Sequence, residues 1–186
     1  MFLNYKIELS TESNQCLCKA GKFGNDVKVE PHASDIGTFV VKGKGTLIGS
    51  CALDCDTGYW ECLIGKNTSC INIGIKKYSK NDLLNEVLNN TGEGTWLFDM
   101  SKRPLKEGDV VGLYWDQTAL PMLSFSLNGE PVPECSINRV RPAVDVYPAV
   151  SVDQDASVEI IFNSSHFKFP PKSKKFSMII CATQLI

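Results

Sequence analysis

Two neighbouring stretches constrain this chain more than any others: Glu107-Gly108-Asp109-Val110-Val111-Gly112-Leu113-Tyr114-Trp115-Asp116 and Ser124-Phe125-Ser126-Leu127-Asn128-Gly129. Gly108-Asp109 breaks the chain ahead of an apolar run. Val110 to Trp115 has the β-branched and aromatic content of a strand covered on both faces. Leu123, Phe125 and Leu127 then alternate with Ser124, Ser126 and Asn128, the period of a strand with one face in water. Asn128-Gly129 supplies two residues that tolerate positive φ, as a tight hairpin requires. This is scaffold rather than catalytic chemistry, and it points to a binding module.

The rest of the chain repeats the pattern. Strands are expected at 26–30, stopped by Pro31, at 38–41, at 46–48 after the turn Gly43-Lys44-Gly45, at 59–64 and at 70–75. Further strands are expected at 95–98, at 147–152 with Pro148 near the start, at 158–162 and at 176–180. Within 59–64, Trp60, Cys62 and Ile64 face one way, and Tyr59, Glu61 and Leu63 the other. Trp60 and Trp115 are therefore expected in the core. One segment, Ser79 to Leu88, has a helical period, with Ser79 as cap and Asp82 in the place of a capping-box acid. Residues 1–25 read as an irregular N-terminal extension with a short strand at 5–9. Short strands, frequent turns and almost no helix predict an all-β fold, an antiparallel β-sandwich. At 186 residues with no dividing linker, one domain over 26–186 is expected.

A formal net charge of −2 offers no long-range attraction to nucleic acid or anionic membrane. The cluster Lys172-Ser173-Lys174-Lys175 reads as a solvated turn. No apolar run is long enough for a transmembrane helix. The start, Met1-Phe2-Leu3, is cut short by Asn4, Lys6 and Glu8, unlike a secretory signal. Of the eight cysteines, Cys62, Cys70 and Cys181 sit in apolar, strand-like segments, where a thiol acts as a small hydrophobe. The expectation is a monomeric, cytoplasmic protein with reduced cysteines and no cofactor. Sequons at Asn67, Asn89 and Asn163 then carry no glycan.

The motifs resemble the SPRY domain, the core of the B30.2 module. A Trp-Glu strand, an Ile-Gly strand, a Gly-Asp-Val-Val-Gly strand, a Phe-x-x-Asn-Gly hairpin and a Tyr-Pro-Ala-Val strand occur there in this order. Here they stand as Tyr59-Trp60-Glu61, Ile73-Gly74-Ile75, Glu107 to Asp116, Phe125 to Gly129 and Tyr147 to Val150. Cys16-Leu17-Cys18, Ile36-Gly37-Thr38 and the tail from Phe167 look like the ends of a stand-alone SPRY protein, without a RING, coiled-coil or SOCS-box on the same chain. The resemblance implies a bent sandwich of two antiparallel sheets, concanavalin A-like in architecture. It also implies a non-enzymatic module that binds a protein or peptide through loops at one end. The family's ligand loops correspond to Leu47-Ile48-Gly49-Ser50, to Asn85, Leu88 and Asn89, and to Asp153-Gln154. Members that bind Asn-rich peptides carry an aromatic in the second loop and a Trp in the third. This chain has Asn85 and Asp153-Gln154 there, so that specificity does not transfer. Fold membership names no ligand.

The second loop supports a binding role from its residues alone. Leu84, Val87 and Leu88 make an apolar floor among the amides of Asn81, Asn85, Asn89 and Asn90; the competing reading packs the leucines back onto the sandwich. A carbohydrate-binding, lectin-like sandwich is the alternative, with Asp153-Gln154-Asp155 as its acidic loop, but no aromatic platform accompanies it. Catalysis is not expected: His32 and His166 are the two histidines, and neither belongs to a nucleophile motif. Metal binding is not expected either, because Cys16-x-Cys18 and Cys51-x-x-x-Cys55 do not complete a zinc ligand set and no calcium loop is present.

Overall fold

The computed structural model describes residues 16–32, 35–79, 82–90, 94–142 and 144–181. The strands, in chain order, are β1 (Cys16–Leu17), β2 (Ala20–Phe23), β3 (Val27–His32), β4 (Asp35–Gly43), β5 (Gly45–Gly49), β6 (Thr57–Ile64), β7 (Ile71–Lys77), β8 (Thr95–Leu97), β9 (Val110–Asp116), β10 (Met122–Leu127), β11 (Glu130–Pro131), β12 (Ile137–Asn138), β13 (Val146–Val152), β14 (Ser157–Ile161) and β15 (Ile180–Cys181). No α-helix occurs among the described residues. One sheet runs β11-β10-β9-β6-β14-β4-β3, with β12 also paired to β10, and the second runs β2-β5-β13-β7-β8. Strands within both sheets pair antiparallel. The two sheets form a sandwich.

Alternation explains the core. Trp60, Cys62 and Ile64 of β6 point inward with Val111, Leu113 and Trp115 of β9 and with Leu123 and Phe125 of β10. They meet Leu47, Val150, Ile73 and Ile71 of the other sheet in one apolar cluster. Trp60 and Trp115 are both buried, and the Trp115 indole N–H donates to the Cys55 carbonyl at 3.0 Å. The Asn128-Gly129 turn has φ of 51° and 83°, the paired positive values of a type I′ hairpin. Its Asn128 amide donates to Asp109 Oδ1 at 2.9 Å and its Oδ1 accepts the Val110 N–H at 2.9 Å. The Gly-Asp turn and the Asn-Gly turn therefore hold each other, which links the two stretches that dominate the sequence.

Several local expectations change. Residues 16–25, read as irregular, contain β1 and β2; β2 pairs with β5, and β1 pairs with β15. Residues 5–9 lie outside the described part. Strand β3 continues through Pro31 to His32, because it is the sheet's edge and no neighbour needs the missing N–H. The segment expected to be helical is irregular over 82–90. Asp82 does accept hydrogen bonds from the Ser79 N–H and hydroxyl, at 3.2 and 3.0 Å, so the capping contact forms without its helix. The backbone beyond is held by the sheet instead: Leu84 O accepts the Thr46 N–H at 2.7 Å, Glu86 O accepts the Thr46 hydroxyl at 2.6 Å, and the Leu88 N–H donates to Ser151 Oγ at 2.9 Å.

The C-terminal part departs most from a simple strand. Residues 167–176 form a strap across the outer face of β6 and β9, and Ile179 beyond it enters the main core. Phe167 meets Tyr59 edge-on with centroids 4.9 Å apart, and Phe176 meets Tyr114 at 5.1 Å. The Tyr59 N–H donates to Ser177 O at 2.8 Å, and the Thr57 hydroxyl donates to Lys175 O at 2.8 Å. This cover leaves Tyr59, Glu61 and Ser126 buried, although alternation alone would put them in water. Ordered strand at the C-terminus is confined to Ile180–Cys181 within the described residues.

Candidate functional site

Four chain segments converge at one end of the sandwich. The β4–β5 turn, Gly43-Lys44-Gly45, is its centre. Both glycines have positive φ, 93° and 126°. A Cβ on Gly43 would stand 2.1 Å from Asp26 O, and one on Gly45 would stand 2.7 Å from Leu84 O. Glycine therefore lets the β2–β3 turn and the 82–90 segment approach this turn at backbone distance. The Lys44 N–H donates to Asp26 O at 3.1 Å, and Asn85 Oδ1 accepts the Asn25 N–H at 2.8 Å. From the other side comes the β13–β14 turn, where Gln154 and Asp155 have φ of 50° and 59°. Its Asp153 carboxylate lies 3.9 Å from Lys44 Nζ. The Gln154 carbonyl accepts from the Asn67 side-chain amide.

Three of these segments border an open depression of about 470 Å³, lined by Asn25, Asp26, Lys28, Gly43, Lys44, Gln154 and Asp155. Its lining mixes both charges with two amides and contains no aromatic ring. It suits a polar chain offering hydrogen-bond donors and acceptors, and it lacks the stacking platform a sugar ring would use.

Of the nine residues carried over from the family's ligand loops, three gather at this end: Gln154 lines the depression, while Asn85 and Asp153 stand beside it against Asn25 and Lys44. Leu47 points into the main core, and Ile48 and Leu88 join Leu84, Leu97 and Ala149 in a second buried cluster on the outer face of the five-stranded sheet. The leucines of the 82–90 segment thus pack back onto the sandwich rather than forming an exposed floor; Val87 and Leu83 stay exposed. Gly49 is buried, with Cys18 Sγ and Pro148 placed where a side chain would go. Ser50 stands at the opposite end of β5, accepting the Lys19 N–H at 3.0 Å. Asn89 is exposed, and its carbonyl accepts the Thr95 hydroxyl at 3.0 Å. Asn81 is outside the described residues. Asn25, Lys28 and Lys44 were not singled out from sequence; the paired glycines around Lys44 are the one local signal that this turn is crowded by backbone.

The two histidines take structural places. His166 Nδ1 lies 2.5 Å from Asp35 Oδ2, and His32 Nε2 lies 3.7 Å from Glu159 Oε1. Asp35 is buried and accepts from Thr38, Asn163 and the Gly37 N–H as well. Burial pushes its carboxyl up, but hydrogen bonds from Thr38, Asn163, Gly37 and His166 outweigh that and hold it well below the usual carboxylate range. Among the described residues, no group of three or more His, Cys, Asp or Glu could hold a metal ion. No helix there is long and apolar enough to cross a membrane. The cysteines correct one expectation: Cys51 is disulfide-bonded, while Cys18, Cys55, Cys62, Cys70 and Cys135 are free. Cys51 is then no thiolate ligand for a Cys51–Cys55 zinc site.

No family model matches the sequence, and no curated protein matches it. Solved structures do match. The crystal structure of the Drosophila melanogaster Neuralized NHR1 domain aligns with a TM-score of 0.57 at 8% identity, covering 80% of this chain and 99% of that one. A crystal structure of a human SPRY domain aligns with a TM-score of 0.51 at 17% identity, covering 75% and 96%. The solution structure of the Neuralized NHR domain aligns with a TM-score of 0.50 at 7% identity, covering 78% and 91%. The fold is thus of the SPRY type, as the ordered motifs imply.

Proposed function

We propose that this SPRY-type sandwich is a non-enzymatic protein-interaction module whose partner site is the loop end around Lys44. The observation that carries the reading is convergence. Asn85 and Asp153-Gln154 are far apart in sequence, yet Asn85 accepts from Asn25 of the β2–β3 turn, whose Asp26 carbonyl accepts the Lys44 N–H, and Asp153 lies 3.9 Å from Lys44 itself. Such a site rests on a rigid scaffold, as binding loops generally do. The lining favours a polar segment of a protein, read by Lys28, Lys44, Asn25 and Gln154. Leu47, Ile48 and Leu88 act beneath the surface, as packing that fixes the loops. Ser50, at the other end of β5, takes no part.

The test uses affinity capture from native lysate with the parent protein as bait. Lys44→Glu combined with Gln154→Ala is expected to lose the captured partner while leaving the melting temperature nearly unchanged, because both side chains are exposed or partly so. Arg141→Ala, at the opposite end beside Val140 and Pro142, is expected to keep it. A partner that binds the double variant as tightly as the parent refutes the loop-end site.

A further inference from the structure

A second cavity lies on a different face, between the strap and the outer side of β9–β10. It measures about 320 Å³, near the lower end for small-ligand pockets. Its walls are the rings of Tyr114 and Phe176 and the pyrrolidines of Pro131, Pro133 and Pro170. Ser124, Ser136 and Ser173 also line it, and two further polar features stand out. The first is Ser126, only 1% exposed. Its hydroxyl is the one buried side-chain polar atom without a hydrogen-bond partner among the described residues. Ser126 alternates with the core residue Phe125, so its side chain points to the face on which the cavity lies. Gly112 makes room for the hydroxyl, since a Cβ there would stand 2.5 Å from Ser126 Oγ and 2.6 Å from the Tyr59 hydroxyl. An isolated buried hydroxyl is costly unless something bonds to it.

The second feature is charge. Lys172 is the sole charged residue in the lining, and no carboxylate accompanies it there. Its ion-pair partner, Glu130, is 3.9 Å away, and both side chains are more than 80% exposed. That pair is weak and solvent-screened, so the ammonium can take another anion. Lys175, by contrast, is held by Asp116 and Thr118.

We propose that this cavity binds a small aromatic carboxylate. One or two fused rings would fill the space among Tyr114, Phe176 and the prolines. By turning about χ1 the Ser126 hydroxyl would reach a polar ring substituent or carboxylate oxygen, and the anionic group would face Lys172. This site is independent of the loop end and of whatever partner binds there.

The probe is 2-naphthoate, titrated into isotope-labelled protein and followed by amide chemical shifts. Shifts are expected in β10, at 129–136 and at 170–176. Naphthalen-2-ylmethanamine, with the same rings and the opposite charge, is expected to bind about tenfold more weakly. Lys172→Glu, at an exposed position that cannot disturb folding, is expected to weaken 2-naphthoate about fivefold. Ser126→Ala is expected to do the same. Absence of binding, shifts confined to other regions, or equal binding of the cationic probe would each overturn the proposal.

Discussion

Glu61 is the residue whose replacement tests the architecture most directly. It is fully buried in a sheet face that the alternation of β6 assigns to solvent. Among the described residues no lysine or arginine pairs with it; the strap does. Its Oε2 accepts the Lys168 N–H at 2.6 Å, and its Oε1 accepts the Phe169 N–H at 2.8 Å. The Tyr59 hydroxyl lies 2.9 Å from both Glu61 Oε1 and the Phe169 carbonyl, and shares its one proton between them. Desolvation, reinforced by the Glu61 charge, pushes the Tyr59 phenol well above its ordinary value, so it remains a donor. Glu61→Gln keeps one acceptor oxygen and turns the other into an NH₂ group aimed at a backbone N–H. One charge-assisted hydrogen bond, about 1.5–3 kcal/mol, is lost, and two donors are left facing each other at a further cost of about 1–3 kcal/mol. Because the strap can lift and admit water, the expected loss lies near the low end of that sum, about 3 kcal/mol.

Urea unfolding followed by tryptophan fluorescence measures that loss. Limited trypsin digestion shows where it falls, since Lys172, Lys174 and Lys175 lie in the strap. Cleavage there should accelerate in Glu61→Gln before the sandwich itself unfolds, because local opening is enough to expose it. Tyr59→Phe should cost about 1 kcal/mol alone. The double variant should lose less than the sum, since both residues act through the same strap backbone. If Glu61→Gln falls within about 0.5 kcal/mol of the parent and the strap is cleaved no faster, the clasp does not hold the strap and the reasoning fails.

Three further outcomes follow from the same geometry. Asp35 has a folded-state carboxyl held below the ordinary range. Its contribution to stability is therefore present above an unfolded-state value of about 4 and disappears as pH falls through the folded value. Asp35→Asn should flatten the acid limb of the stability profile below pH about 4, and an unchanged limb would count against the Thr38–Asn163–His166 cluster. Trp115→Ala removes a core ring and its hydrogen bond to Cys55 and should cost about 3–5 kcal/mol in a denaturant melt; an unmoved midpoint would contradict the inward face of β9. Native-state alkylation should spare Cys62 and Cys18, both buried, with the Cys18 thiol pushed up to about 11 by burial. Partly exposed Cys70 should label first, and early labelling of Cys62 would show that β6 is not a core strand.

What the sequence makes legible here is direction rather than cover. The period of two in β6, β9 and β10 assigns each side chain to the correct face, because alternation is a property of the local backbone. It cannot say what lies on that face. Ser126 and Glu61 point outward as their spacing requires, yet both are dry, because the strap from 167 onward returns across them. The same limit produced the expected helix at 79–88. Leu84 and Leu88 do share one side, as a helical period requires. However, the groups that hold this backbone are Thr46 and Ser151, removed by 40 and 63 residues from Glu86 and Leu88. Short segments with a weak intrinsic preference follow such tertiary partners. The loop end obeys the same logic. Asn85 and Asp153-Gln154 could be placed through the resemblance, since their positions are tied to strands whose motifs are readable. Asn25, Lys28 and Lys44 enter through backbone approach at Gly43 and Gly45. A glycine in a sequence marks that something comes close without naming what it is.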